Sequence, residues 1–200
     1  MTALTVLDFG MGNLRSVAKA LERAGGQVTV STEVDPAADL LVVPGQGAFG
    51  SCVVNLGERL KEIAAWIAEG RPYFGICLGL QILFDGSEEE PGAAGVGVLP
   101  GVVRALPRDV KIPHIGWNVV VASPSATLFD GIAPGARFYF VHSFYADPAD
   151  GVDVAATTEY GLAFCSAVER GNVWATQFHP EKSAEVGLAL LGNVVRACAR

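Results

Sequence analysis

Cys77 stands in the stretch Phe74-Gly-Ile-Cys77-Leu-Gly-Leu-Gln81, where an apolar run ends and Gly75 and Gly79 flank the thiol. Small neighbours on both sides allow a tight strand-to-helix turn that lifts a side chain into a cleft, the geometry of a nucleophile elbow. The amino end of a following helix lowers a thiol pKa and offers backbone N–H groups. The same pattern also fits a buried structural cysteine, a common state for a free thiol. A second stretch, Gln177-Phe-His179-Pro-Glu181, follows the last apolar run and puts an imidazole and a carboxylate two residues apart. In extended chain the two share a face. A carboxylate there fixes the imidazole tautomer and stabilises the imidazolium formed when the ring takes a thiol proton. The competing reading is a solvated His-Pro-Glu loop whose Pro180 merely restricts the turn.

A third stretch, Pro44-Gly45-Gln46-Gly47-Ala48-Phe49-Gly50, matches G-x-G-x-x-G between a strand-like and a helical segment. A dinucleotide site needs an acidic residue at the end of the next strand, about 20 residues on. This chain offers Cys77 there instead. A Gly-rich loop at a strand end can alternatively aim backbone N–H groups at a developing oxyanion. The similar loop at residues 8–13 has Arg15 where a third glycine would stand, which gives it a structural role. His114 and His142 are isolated, and no Cys or His pair has zinc spacing. Neither a metal nor a cofactor is expected.

These groups need elements to position them. Apolar runs at residues 4–7, 28–30, 40–43 and 73–76 read as strands buried on both faces. Residues 13–24, opening with an Asn cap and closing on Gly25 and Gly26, and residues 51–69, closing on Gly70, read as helices. The alternation predicts a parallel sheet covered on both faces, with ligands at the carboxyl ends of its strands. After a Gly- and Glu-rich stretch at 85–97, shorter strand-like runs follow at 102–106, 117–121, 137–141, 152–157, 163–169 and 173–178, with a turn at 170–172. A final helix over 183–197 aligns Leu188, Leu191 and Val195 on one stripe. Cys77, His179 with Glu181, and the Gly45–Gly50 loop all fall at expected strand ends, which favours an enzyme over a binding module.

The 200 residues fit one domain, 1–200, with a sizeable core. Half the chain is hydrophobic and 18% charged, which excludes wholesale disorder. Fourteen basic against 21 acidic residues give a net charge of −7 with no basic run, so nucleic acid and anionic membrane are not expected partners. No secretory leader or spanning apolar stretch is apparent, and the four cysteines are widely spaced; the reading is a cytoplasmic protein with reduced thiols.

Together, Gly75-Ile-Cys77-Leu-Gly-Leu-Gln81 and Phe178-His179-Pro-Glu181-Lys-Ser183 resemble the two signatures of the class I glutamine amidotransferases. Within that class, Pro113-His-Ile-Gly-Trp-Asn118 and Phe138-Tyr-Phe-Val-His-Ser143 look like the glutaminase subunits of imidazole glycerol phosphate synthases, from histidine biosynthesis. The resemblance runs from Leu7 to the last helix. It implies a flavodoxin-like mixed, mostly parallel α/β sheet, extended by the strands of the second half. It also implies a Cys77 nucleophile, a His179 general acid and base, and Glu181 as its orienting partner. Gly47 and Leu78 would supply oxyanion N–H groups, and Gln81, Glu89, Ser143 and Phe144 would hold glutamine. The implied partner is a (β/α)₈ cyclase subunit in a heterodimer, met near Trp117, Asn118 and Tyr139. Relatives commonly carry Val where this chain has Gln46, and a carboxamide there could alter how the loop turns its N–H groups. A glutaminase feeding a different synthase, or a non-catalytic flavodoxin-like module, are the alternative readings.

Overall fold

The computed structural model describes residues 1–149, 151 and 153–199. Its first half alternates strand and helix: β1 (Ala3–Leu7), α1 (Leu14–Arg23), β2 (Gln27–Ser31), β3 (Leu40–Gly45), α2 (Phe49–Leu56), α3 (Arg59–Ala68) and β4 (Tyr73–Cys77). A single helical turn, α4 (Leu78–Gln81), follows, then short β5 (Gly86–Ser87) and β6 (Gly101–Ala105). The second half contributes β7 (His114–Val119), β8 (Val121–Ala122), β9 (Arg137–His142), β10 (Phe144–Pro148), β11 (Val154–Glu159), β12 (Ala163–Arg170), β13 (Val173–Thr176) and the closing helix α5 (Ala184–Ala197). The expected start of a strand at Val152 lies outside the described residues.

The main sheet runs β2-β1-β3-β4-β13-β12-β10-β6-β5, with β11 attached to β12 and β8 to β11. From β2 to β13 every pairing is parallel. That half is the α/β part, and β3 at its centre and β4 beside it are buried throughout. Alternate residues of β3 feed opposite cores: Leu40 and Val42 join α1 and α5 on one face, Leu41 and Val43 join α2 and α3 on the other. Period-two burial thus produces the two helix layers expected from sequence.

Four expectations are corrected. The run at 28–30 is an edge strand, β2, rather than one buried on both faces; β1 is its one neighbour in the sheet and Val30 is exposed. The single helix expected over 51–69 is two helices, broken at Gly57, whose φ of 54° ends α2. α2 also starts earlier, at Phe49, because the Glu89 carboxylate accepts its N–H at 2.7 Å; that cap is remote in sequence. Finally, not every second-half strand extends the sheet. β7 and β9 pair only with each other, as an antiparallel ribbon in register Trp117↔Tyr139, because the chain bends at Ser143 and re-enters the main sheet as β10. β10 escaped the sequence reading since Ala146, Asp147 and Pro148 are poor strand formers.

Candidate active site

Cys77 is the last residue of β4 and pairs with Gly45, the last residue of β3. Its φ of 56° lies in the left-handed region, a costly conformation for a side-chain-bearing residue that points to a held functional geometry. The turn closes because a Cβ on Gly79 would meet the Val43 carbonyl at 1.8 Å, and one on Gly75 would meet the Gly79 carbonyl at 2.3 Å. Tyr73 Oη donates to that Gly79 carbonyl at 2.7 Å and pins the turn from below. The elbow is therefore present, although the helix after it is one turn rather than a full helix.

His179 follows β13, the parallel neighbour of β4. Its backbone N–H donates to the Tyr139 carbonyl at 2.9 Å, and Ser183 Oγ donates to its carbonyl at 2.6 Å while accepting from the Tyr139 N–H at 3.0 Å. Nδ1 lies 2.9 Å from Glu181 Oε1, with the side chains 2% and 1% exposed, so the solvated-loop reading fails. The contact is made across a 3₁₀ turn, Pro180–Lys182, and not along extended chain, because the strand already ends at Thr176. Nε2 has no hydrogen bond of regular geometry, but the Cys77 thiol is close enough to act on the ring's protonation. Burial opposes a charged imidazole here; the Cys77 sulfur and the Glu181 carboxylate outweigh it and raise His179 to about 9.

Cys77 opens into a cavity of about 330 Å³ lined by Gln46, Gly47, Leu78, Gln81, Glu89 and the wall Val141 to Phe144. Both expected oxyanion residues and all four expected glutamine contacts therefore border one space with the thiol. Gly47, at φ 117°, could not carry a side chain without meeting Met11 Cε at 2.8 Å, so the loop at residues 8–13 buttresses the Gly45–Gly50 loop. His179 is buried and does not line this cavity. Among the described residues no group of three or more His, Cys, Asp or Glu could hold a metal ion.

A model of the glutamine amidotransferase class-I family matches residues 5–196 of the chain. The chain belongs to the class I glutamine amidotransferase family. Similar curated relatives include imidazole glycerol phosphate synthase subunit HisH of Rhodopirellula baltica, 49% identical over 97% of both chains. The proteins of the same name from Methylococcus capsulatus and Methanothermobacter thermautotrophicus are 46% and 45% identical, covering 98% and 96% of this chain and 97% of each relative. Among solved structures, PurLQS from Thermotoga maritima superposes with a TM-score of 0.74 at 21% identity, covering 98% of this chain and 96% of that one. The glutaminase domain of Trypanosoma brucei CTPS, with bound acivicin, gives 0.67 at 17% identity over 98% and 94%. These two share the family fold, a mixed α/β sheet with helices on both faces, as expected.

Outside the cavity, the ribbon sorts the remaining residues. Ile115, Trp117 and Val119 project from one face of β7 into solvent, with Trp117 46% exposed and its ring edge-on to Tyr139 at 6.2 Å. Asn118 sits on the opposite face, its Nδ2 donating to the Glu159 carbonyl at 3.0 Å. Gln177 is the residue that sequence reasoning left without a role. It is fully buried, its Nε2 lies 3.6 Å from Cys77 Sγ, and its Oε1 accepts from Gln81 Nε2 at 3.1 Å. No local signal marks it, because both partners lie far away along the sequence. No helix is long and apolar enough to cross a membrane among the described residues.

Proposed function

We propose that residues 1–200 act as one glutaminase domain that hydrolyses glutamine to glutamate and ammonia and hands the ammonia to a synthase partner. The observation that carries this reading is a strained Cys77 at the wall of a cavity, backed by a buried His179–Glu181 pair. His179 takes the Cys77 proton, and the thiolate attacks the side-chain carbonyl of glutamine. The C–N bond breaks as His179 returns the proton to the leaving nitrogen, releasing ammonia and leaving a γ-glutamyl thioester. Water, deprotonated by the same imidazole, attacks the thioester; glutamate leaves and the thiol is restored. The N–H groups of Gly47 and Leu78 hold each oxyanion, an interaction worth about 3 kcal/mol per donor. Glu181 keeps Nδ1 protonated so that Nε2 is the working atom.

Ammonia in neutral water is mostly ammonium, which is not nucleophilic, so the product must pass sheltered to its acceptor. The full-length relatives named as a subunit of imidazole glycerol phosphate synthase support a (β/α)₈ cyclase as partner, making imidazole glycerol phosphate and an aminoimidazole carboxamide ribonucleotide. The apolar stripe of Ile115, Trp117 and Val119 is the surface we assign to it, with Tyr139 beside Trp117. In the purified complex, Cys77→Ala is expected to abolish glutamine-dependent turnover while added ammonium still supports cyclisation. Retained glutamine-dependent turnover in that variant would refute the role of the thiol.

A further inference from the structure

The chain has three histidines, and two of them, His114 and His142, take no part in the proton transfers just described. They face each other across the ribbon, in register and buried. His142 Nδ1 lies 2.8 Å from the Phe144 carbonyl, His142 Nε2 lies 2.9 Å from His114 Nδ1, and His114 Nε2 lies 3.3 Å from Asn118 Nδ2. Burial pushes His114 down to about 4 and His142 to about 3, so each ring carries one proton at neutral pH. That fixes every hydrogen in the chain. The Phe144 carbonyl can only accept, so His142 is protonated at Nδ1 and bare at Nε2. His114 must then donate from Nδ1, which leaves its Nε2 bare to accept from Asn118. The Asn118 amide agrees with this: its second N–H donates to the Glu159 carbonyl, and its Oδ1 accepts the Val119 N–H at 2.8 Å. No member of the chain is left unsatisfied or ambiguous.

At its inner end the chain reaches the cavity. The Phe144 carbonyl accepts from His142 and also from Gln81 Nε2 at 3.1 Å, which occupies both of its lone pairs. Phe144 and Gln81 both line the cavity beside Cys77. We propose that His142 and His114 are positioning residues for glutamine: their one-directional hydrogen-bond chain, anchored at Asn118 on the ribbon, holds the Ser143–Phe144 wall and Gln81 in the substrate-binding orientation. This rests on the glutaminase reading above and adds to it His142, which borders the cavity, and His114, which does not.

The competing role is packing, since His114 stacks between Phe140 and Tyr160 at ring distances of 4.9 and 3.9 Å. The two roles predict opposite rankings of two substitutions. Phenylalanine keeps the volume and loses the N–H; asparagine loses the volume but can return an N–H to the Phe144 carbonyl. Kinetics with glutamine on the full chain in complex with its partner subunit decide between them. His142→Phe is expected to raise the KM for glutamine about 10-fold with kcat changed less than about 3-fold, and His142→Asn to bring KM back near wild type. A wild-type KM in His142→Phe, or a larger loss in His142→Asn than in His142→Phe, would overturn the proposal. If His142→Phe does not fold, His114→Phe tests the same chain one ring farther out, with a KM rise of about 3-fold expected and an unchanged KM fatal. Absence of glutaminase activity in the wild-type complex would instead strike the functional reading itself.

Discussion

Gln177 has no exposed surface, so the polar atoms of its amide must find partners inside the protein. They find Gln81 on one side and the Cys77 sulfur on the other, which places one side chain between the proposed nucleophile and the cavity wall. A hydrogen bond to a charged group contributes about 1.5–3 kcal/mol, and its N–H is placed to hold the sulfur in the proposed attack. Gln177→Leu keeps much of the volume and removes both contacts. Alkylation of Cys77 by iodoacetamide at neutral pH is expected to slow about 10-fold, with a loss of about 1–3 kcal/mol of stability from the unpaired Gln81 N–H. An unchanged alkylation rate would show that the 3.6 Å contact does nothing for the sulfur. At this scale the sequence was legible where a residue type is rare and its spacing chemical: Cys77 between glycines, His179 two residues before Glu181. Gln177 was not legible, because a buried amide announces itself only through partners that lie 96 and 100 positions away.

The elbow depends on how closely α4 can lie against β3, and Gly79 sets that distance. An added Cβ there would come within 1.8 Å of the Val43 carbonyl oxygen, and neither backbone can yield without moving Cys77 or the central strand. Gly79→Ala is therefore expected to cost above about 3 kcal/mol, the upper end for overpacking. Gly70→Ala has the same chemistry at a φ of 75° with open space around it, and its cost is only the conformational one, about 1 kcal/mol. Urea unfolding of the two variants side by side checks this; similar midpoints would mean that α4 is free to shift. The same contrast explains what the sequence revealed of the elements. The strands of the parallel half carry their own signal in continuous apolar runs, and α1 carries its own Asn13 cap, whose Oδ1 accepts the Ser16 N–H. The break between α2 and α3 and the early start of α2 are set by Gly57 geometry and by Glu89, 40 residues away, and the ribbon by a bend at Ser143. Local patterns do not encode such long-range partners.

Across the whole molecule the three histidines are biased in opposite directions, and stability must follow pH accordingly. An unfolded histidine titrates at about 6.5. His114 and His142 are held at about 4 and about 3, so below pH 6.5 the unfolded chain binds two protons that the folded chain refuses, and stability falls as pH falls. His179 is held at about 9, so above pH 6.5 the folded chain keeps a proton that the unfolded chain releases, and stability falls as pH rises. Each ring contributes a slope of at most about 1.4 kcal/mol per pH unit. Above the ordinary thiol range of about 8.5 the alkaline limb steepens further. Burial holds Cys52, Cys165 and Cys198 at about 12, so the unfolded chain loses thiol protons that the folded chain retains. Urea midpoints are therefore expected to peak near pH 6.5 and to decline toward both pH 5 and pH 8. His142→Asn, which cannot titrate, should flatten the acid limb, and Cys77→Ala, which removes a group that raises His179, should flatten the alkaline limb between pH 6.5 and 8. A midpoint that stays level from pH 6.5 to 8 in the wild type would mean that folding takes up no proton at the His179 imidazole in that range, against the raised value that Glu181 and Cys77 give it.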